Sequence, residues 1–407
     1  MNEVTRSGVR HAVRPAAAAI AGLVLGVVVT LSMQGDAART ADRPDRSFAH
    51  SRMPPETFLV WVPRGLPAGF DDAVKNLPVS GRITTVAQDN AWLVRSWNTA
   101  GDEVDRPHGP YRIPLDTIAV DPSTFAAFLP AADRPVSQAL VGGDGVLGAT
   151  SAVLRGLGPG AVLSFPGGHR VRIAAVLPDE EVGAAELMVS RETGRRIGVR
   201  TDRSLLLRPA PGRRVRADAL QTMLDGLVPA ELGPYGRVQV RAQGETPYFR
   251  PGDAVLPTVM LKTLFGEFAA RPEPGRPGYL DLDPAWTRTH MVTSRIPVLG
   301  DVTCHRSVMP QIRGAVRELV SRGLGPLVET YDGCFAPRFI GRDPSAMLSH
   351  HSWGIALDLN IAGNYYGVPP DQDPRLVALM ERWGFTWGGR FIVPDGNHFE
   401  YHRAPAP

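Results

Sequence analysis

SHHSWGIALDLN (349–360) alternates at its end: Ile355, Leu357 and Leu359 are apolar, while Ala356, Asp358 and Asn360 fall on the opposite side. A period of two marks a β-strand with one face on a core and the other open. Asp358 then emerges on the open face beside an alanine small enough to leave room for a ligand. A second segment, DGNHFEYHR (395–403), repeats the logic, with Phe399 and Tyr401 on one side and His398, Glu400 and His402 on the other. Two such strands side by side predict a small antiparallel sheet with an imidazole and a carboxylate on an accessible face. With His351 they supply three N/O ligands, which leaves a fourth coordination position open, as catalytic zinc sites require.

Working outward, two helices flank these strands. One is expected to begin near Pro310, with Ile312, Val316 and Leu319 as its apolar stripe and Gly323 as its stop. The other has Asp373 as N-cap, Pro374 in the first turn, and Leu376, Val377, Met380 and Trp383 on one face. The Pro-rich run EPGRPG (273–278) predicts a boundary, so that residues 280–407 form one α+β domain.

Upstream, residues 54–279 read as a separate mixed α/β module. Strands are expected at 58–62, 82–87, 91–97, 162–165, 170–177 and 237–242. A helix is expected over 215–228, with Ala219, Met223 and Leu227 as its stripe. His108 and His169 lie in turns, and GGDG (142–145) lacks the remainder of a phosphate-binding loop, so no catalytic constellation is read here. The pattern is similar to that of the extracellular domains of export-type permeases. The protein partner of this module is not identified.

At the N-terminus, residues 16–33 are apolar and uncharged, preceded by Arg6, Arg10 and Arg14. About 19 residues from Pro15 give roughly 28 Å of helix, close to a ~30 Å hydrocarbon core. The favoured reading is a tail at 1–14, a transmembrane signal-anchor at 15–33 oriented N-in, and a polar linker at 34–53. The alternative is a cleaved signal peptide, with small residues at Gly35 and Ala37. Either places the remainder outside the cytoplasm, where the only two cysteines, Cys304 and Cys334, are expected to form a disulfide. With 407 residues and a net charge of +3 spread along the chain, the sequence has no basic stripe and excludes nucleic acid as a partner.

The order Ser349-x-His351-x-x-Gly354-x-Ala356-x-Asp358, followed by Asp395-x-x-His398, resembles the signature of VanY-type D-alanyl-D-alanine carboxypeptidases. That group also contains L-alanyl-D-glutamate peptidases. The resemblance covers residues 285–407. It implies one zinc ion held by His351, Asp358 and His398, with Asp395 as general base. It also implies an upstream arginine that stabilises the oxyanion, for which Arg338 is the candidate ahead of Arg342. Ser349 and Glu400 are expected to orient ligands or contact substrate. Trp353 is expected beside the cleft, as packing or substrate contact, and Tyr365 and Tyr366 are candidates to line it. His350 and His402 are read as structural. The implied activity is hydrolysis of a peptidoglycan stem-peptide bond involving a D-amino acid, D,D-carboxypeptidase first. Many carboxypeptidase members carry Glu where this chain has Asp395, and the Asp form is more like the L-alanyl-D-glutamate branch. A catalytically inactive cell-wall binding or scaffold protein is the remaining alternative.

Overall fold

The computed structural model describes residues 57–253 and 256–404. The expected tail, signal-anchor and linker (1–53) lie outside the described residues. Among the described residues no helix is long and apolar enough to cross a membrane.

The upstream region is built on a ten-stranded sheet, whose central member is the long strand Ser80–Leu93. It pairs antiparallel with Ile113–Val120 on one side and Asp202–Pro209 on the other. Two strands were expected in its place, broken at the polar run Gln88-Asp89-Asn90. That run instead stays in the ladder because neighbouring elements satisfy it. Gln88 Nε2 donates to Asp116 Oδ1 at 2.6 Å, and Asp89 Oδ2 accepts from the backbone N–H groups of Arg200 and Thr201. Buried polar side chains with partners do not break a strand.

The expected helix is present as Ala217–Asp225, but its buried face is Leu220 and Leu224, while Met223 is exposed. Ala219/Met223/Leu227 and Leu220/Leu224 both satisfy helical spacing. The choice between them is made by the apolar cluster of Phe58, Val60 and Leu207 on the sheet below.

The C-terminal region contains an antiparallel four-stranded sheet in the order Tyr331–Gly333, Ala356–Leu359, His398–Tyr401, Phe385–Trp387. Helices Met309–Ser321 and Pro374–Arg382 flank it, as expected, and bury Ile312, Val316, Leu319, Leu376 and Val377 in a core shared with Leu357 and Phe399. Asp373 caps the second helix, accepting from Arg375 N–H at 2.8 Å. Where the helices cross, a Cβ on Gly314 would lie 2.2 Å from the Trp383 ring, so only glycine allows this approach.

The Pro-rich run 273–278 is not a linker. It turns between two short paired strands, Ala270–Pro272 and Leu280–Leu282. Leu261, Phe265 and Phe268, all upstream of the expected boundary at 280, pack in the C-terminal core with Trp286 and Trp353. Conversely, Ile392 and Val393 pack in the upstream core with Leu59 and Trp61. A buried ion cluster reinforces the seam: Lys262 Nζ lies 2.9 Å from Glu186 and 2.8 Å from Glu267, and Arg155 pairs with the same two carboxylates and with Asp105. The described residues therefore fall into one compact unit, which the two parts build together.

Candidate metal centre

Ser349 begins the site. Its Oγ accepts from His351 N–H at 3.4 Å and so starts a tight 3-10 turn over His350–Trp353. Gly354 ends that turn at φ 64°, where a Cβ would come within 2.9 Å of His305 N, so a side chain is excluded by both strain and space. The chain then enters the strand Ala356–Leu359. Its register against His398–Tyr401 sets Asp358 directly opposite His398 and Ala356 opposite Glu400. Residues opposite one another share a face, which brings the carboxylate and the imidazole together.

Three donor atoms converge there. His351 Nε2 lies 3.0 Å from Asp358 Oδ1 and 3.2 Å from His398 Nδ1, which is itself 3.2 Å from Asp358 Oδ1. All three side chains are buried. Ligands bound tetrahedrally at 2.0–2.1 Å would be separated by about 3.3–3.4 Å, so this set needs only a slight opening to take a zinc ion. The other ring nitrogens are also placed. His351 Nδ1 is 2.8 Å from the Cys334 carbonyl, and His398 Nε2 is 3.2 Å from Glu400 Oε2. Both acceptors lack protons, so each imidazole keeps a proton on that side and turns its other ring nitrogen to the centre. Burial would lower His398, but Asp358, Glu400 and Asp395 outweigh it and raise the ring to about 10, so it would give up its second proton on taking a metal.

Charge reinforces the geometry. Burial alone would raise Asp358, but His351 and His398 outweigh it and hold its carboxyl well below the usual range. Burial likewise would raise Glu400, yet His350 and His398 hold it down. His351 is lowered chiefly by burial, against the pull of Asp358.

Asp395 stands beside the triad in the same cleft. Its backbone N–H donates to Gly388 O and its carbonyl accepts from His398 N–H, so a short turn sets its distance from His398. With its amide nitrogen turned toward it, Asn397 donates to Asp395 Oδ1 at 2.5 Å. Burial pushes the Asp395 carboxyl up to about 6, with His398 opposing. Trp387 Nε1 donates to Gly396 O and braces this turn.

Arg338 reaches the same point. Its Nη2 donates to Asp358 Oδ2 at 3.1 Å, and its main chain is tied to Ser352 Oγ. Cys304 and Cys334 form the disulfide four residues before it. Tyr365 and Tyr366 both line the cleft.

Two residues stand otherwise than expected. Trp353 is fully buried, packs its ring at a tilt against Phe268 and donates to the Gly266 carbonyl, so it packs the core and does not line the cleft. His350 was read as structural. Residues 350–353 form a 3-10 turn, however, and in it His350 also faces the cleft, with Nδ1 2.8 Å from Glu400 Oε2. The pair is out of line for a hydrogen bond. The doubled histidine at 350–351, after a capping serine, was the signal for such a turn.

Residues 342–401 match the profile of a family described as D-alanyl-D-alanine carboxypeptidase. The matched stretch holds the triad and Asp395 and begins after Arg338. No curated protein matches the chain. Among solved structures, similarity is found to the periplasmic region of MacB from Actinobacillus actinomycetemcomitans (13% identity, TM-score 0.31, 48% of this chain and 92% of that one). The extracellular domain of the noncanonic ABC-type transporter YknZ from Gram-positive bacteria is similar at 12% identity and TM-score 0.28, over 46% and 99%. A permease-protein domain from Porphyromonas gingivalis is similar at 13% identity and TM-score 0.29, over 51% and 96%. At these scores the likeness is loose.

Proposed function

We propose that this protein is a zinc-dependent peptidase that hydrolyses a bond involving a D-amino acid in peptidoglycan stem peptides, with D,D-carboxypeptidase activity first. The convergence of His351, Asp358 and His398 beside Asp395 carries this reading, and the family match over 342–401 supports the substrate class. Zinc at such a centre supplies Lewis acidity, which makes water a nucleophile near neutral pH and polarises the scissile carbonyl. The chain's own residues do the remainder. Asp395, raised by burial and ionised at neutral pH, takes a proton from the attacking water and returns it to the leaving amine. Arg338 holds Asp358 in place and offers positive charge to the oxygen that becomes negative. Glu400 fixes the His398 ring, and His350 approaches the same Glu400 oxygen.

A second reading has one observation behind it. Asp395 is one methylene shorter than the glutamate of many carboxypeptidases, which favours an L-alanyl-D-glutamate-type endopeptidase. The apolar N-terminal stretch after three arginines, together with the disulfide, supports a membrane-anchored, extracytoplasmic enzyme. The test is incubation of the zinc-loaded chain with muropeptides and mass spectrometry of the fragments, beside Asp395→Ala. Release of a terminal D-alanine supports the first reading, and cleavage nearer the sugar the second. An intact substrate, or equal cleavage by the variant, removes both and leaves a binding or scaffold role.

A further inference from the structure

The catalytic cleft, about 450 Å³, is not walled by the C-terminal region alone. Trp61, Pro63, Arg250, Asp253 and Leu256 of the upstream region form one side of it, facing His351, Asp395 and His398. This wall is built and held. Arg241 donates to the carbonyls of Arg250 and Gly252, at 2.7 and 3.4 Å, and so pins the loop from behind. Arg250 is itself committed to Asp116, 3.1 Å away. On the cleft side, Asp253 Oδ2 accepts from Ile392 N–H at 3.0 Å, and Ile392 is packed in the upstream core beside Trp61. The wall is therefore tied to the segment that leads into Asp395.

Asp253 is the odd member of this wall. Among the described residues it makes no ion pair, and the Ile392 amide is its only hydrogen bond. Burial, with the Ile392 amide and the Arg241 guanidinium opposing it and Glu400 adding to it, pushes its carboxyl up to about 6, so it carries its charge at neutral pH. The Arg241 guanidinium that acts on it is engaged by the Arg250 and Gly252 carbonyls and makes no ion pair with it, so this half-desolvated carboxylate, facing a peptide-sized cleft, favours a ligand that brings a cation into contact.

We propose that the upstream region supplies a specificity wall to the peptidase cleft, in which Asp253 binds a primary ammonium of the substrate away from the scissile bond. The inference rests on the peptidase reading. It commits the substrate to a peptide bearing a free side-chain or terminal amine. Acetylation of that amine removes the charge, and the carboxylate is then left desolvated with only the Ile392 amide as its partner.

The experiment compares two peptides ending in D-alanyl-D-alanine, one with a free lysyl side chain and one Nε-acetylated, on the zinc-loaded full chain and on Asp253→Asn and Asp253→Glu. The free amine is expected to be preferred about tenfold or more in kcat/KM by the natural protein. That ratio should collapse toward one in Asp253→Asn and be largely kept in Asp253→Glu, with the difference in KM. No preference in the natural protein, or an unchanged ratio in Asp253→Asn, overturns the proposal. If neither peptide is hydrolysed, the peptidase reading fails. The same ratio, read as binding by calorimetry, then still decides for or against Asp253. Zinc content equal to that of the natural protein shows that the variants have kept the centre.

Discussion

The Nδ1 of His351 lies 2.8 Å from the main-chain carbonyl of Cys334, and Cys334 is disulfide-bonded to Cys304. A carbonyl only accepts, so the proton resides on Nδ1 and Nε2 faces Asp358 and His398 with its lone pair. The disulfide thus anchors the group that selects the tautomer of the His351 imidazole.

Removing that anchor should affect both stability and metal. Closing 30 residues contributes about 3.5 kcal/mol in the chain-entropy model. Cys304→Ser is expected to lower the denaturation midpoint accordingly and to weaken zinc binding, because the Cys334 carbonyl is less firmly held. Chemical denaturation and competition with a zinc chelator measure the two. Loss of stability with unchanged zinc affinity would separate the disulfide from the centre.

His351→Ala, Asp358→Ala and His398→Ala should each take the zinc content from one per chain toward none. Chelation of the natural protein should lower its melting temperature, by about 3–4 kcal/mol of linkage if zinc is present at a hundred to a thousand times its Kd. Metal analysis with a thermal scan checks both. Retention of full zinc by any of the three variants would exclude that side chain as a ligand.

Asp395→Asn keeps size and removes the base. It should retain zinc and lose about 10²- to 10⁴-fold in kcat. A variant that loses the metal in parallel would instead place Asp395 in the ligand set.

Glu400 touches His398 but not the three converging donor atoms. Glu400→Gln should weaken zinc affinity by about 10- to 100-fold, because the His398 ring loses its charged acceptor. Titration of the apo-protein with zinc is the readout, and an affinity equal to the natural protein's would reduce Glu400 to packing.

His305 provides a pH signature away from the metal. It is buried against Phe265, and burial lowers it to about 4 against an ordinary value of 6.5. Above 6.5 it is neutral in folded and unfolded chains and costs nothing. As pH falls from 6.5 toward 4, the unfolded chain binds a proton that the folded one refuses, and stability declines. His305→Gln should flatten this part of the pH profile of the denaturation midpoint. A slope equal to that of the natural protein would assign the acid sensitivity elsewhere.

Much of the centre was legible in the chain. Alternation around Asp358 and His398 requires no knowledge of distant residues, because strand period alone decides which side chains share a face. The capped helix at Pro374 was equally local, since Asp373 and Pro374 satisfy a helix start by themselves. His350 was not legible by the same rule, since a 3-10 turn of four residues leaves no period to read. Trp353 lies in that turn too, and whether it faced cleft or core depended on Phe268, far away in sequence.

By itself, then, the sequence determined the residue types: two imidazoles and two carboxylates of the right kind near a cysteine pair, with Asp358 and His398 on strands whose alternation puts them on one face. Only the tertiary structure decided what surrounds that chemistry. The run at 273–278 reads as a boundary because proline and glycine punctuate chains locally, yet it is a turn, because Leu261 and Phe265 find their burial beyond it. The cleft wall at Trp61 and Asp253 follows from the same cause. Long-range packing of apolar side chains brings together segments hundreds of residues apart, and no local pattern records which of them will meet.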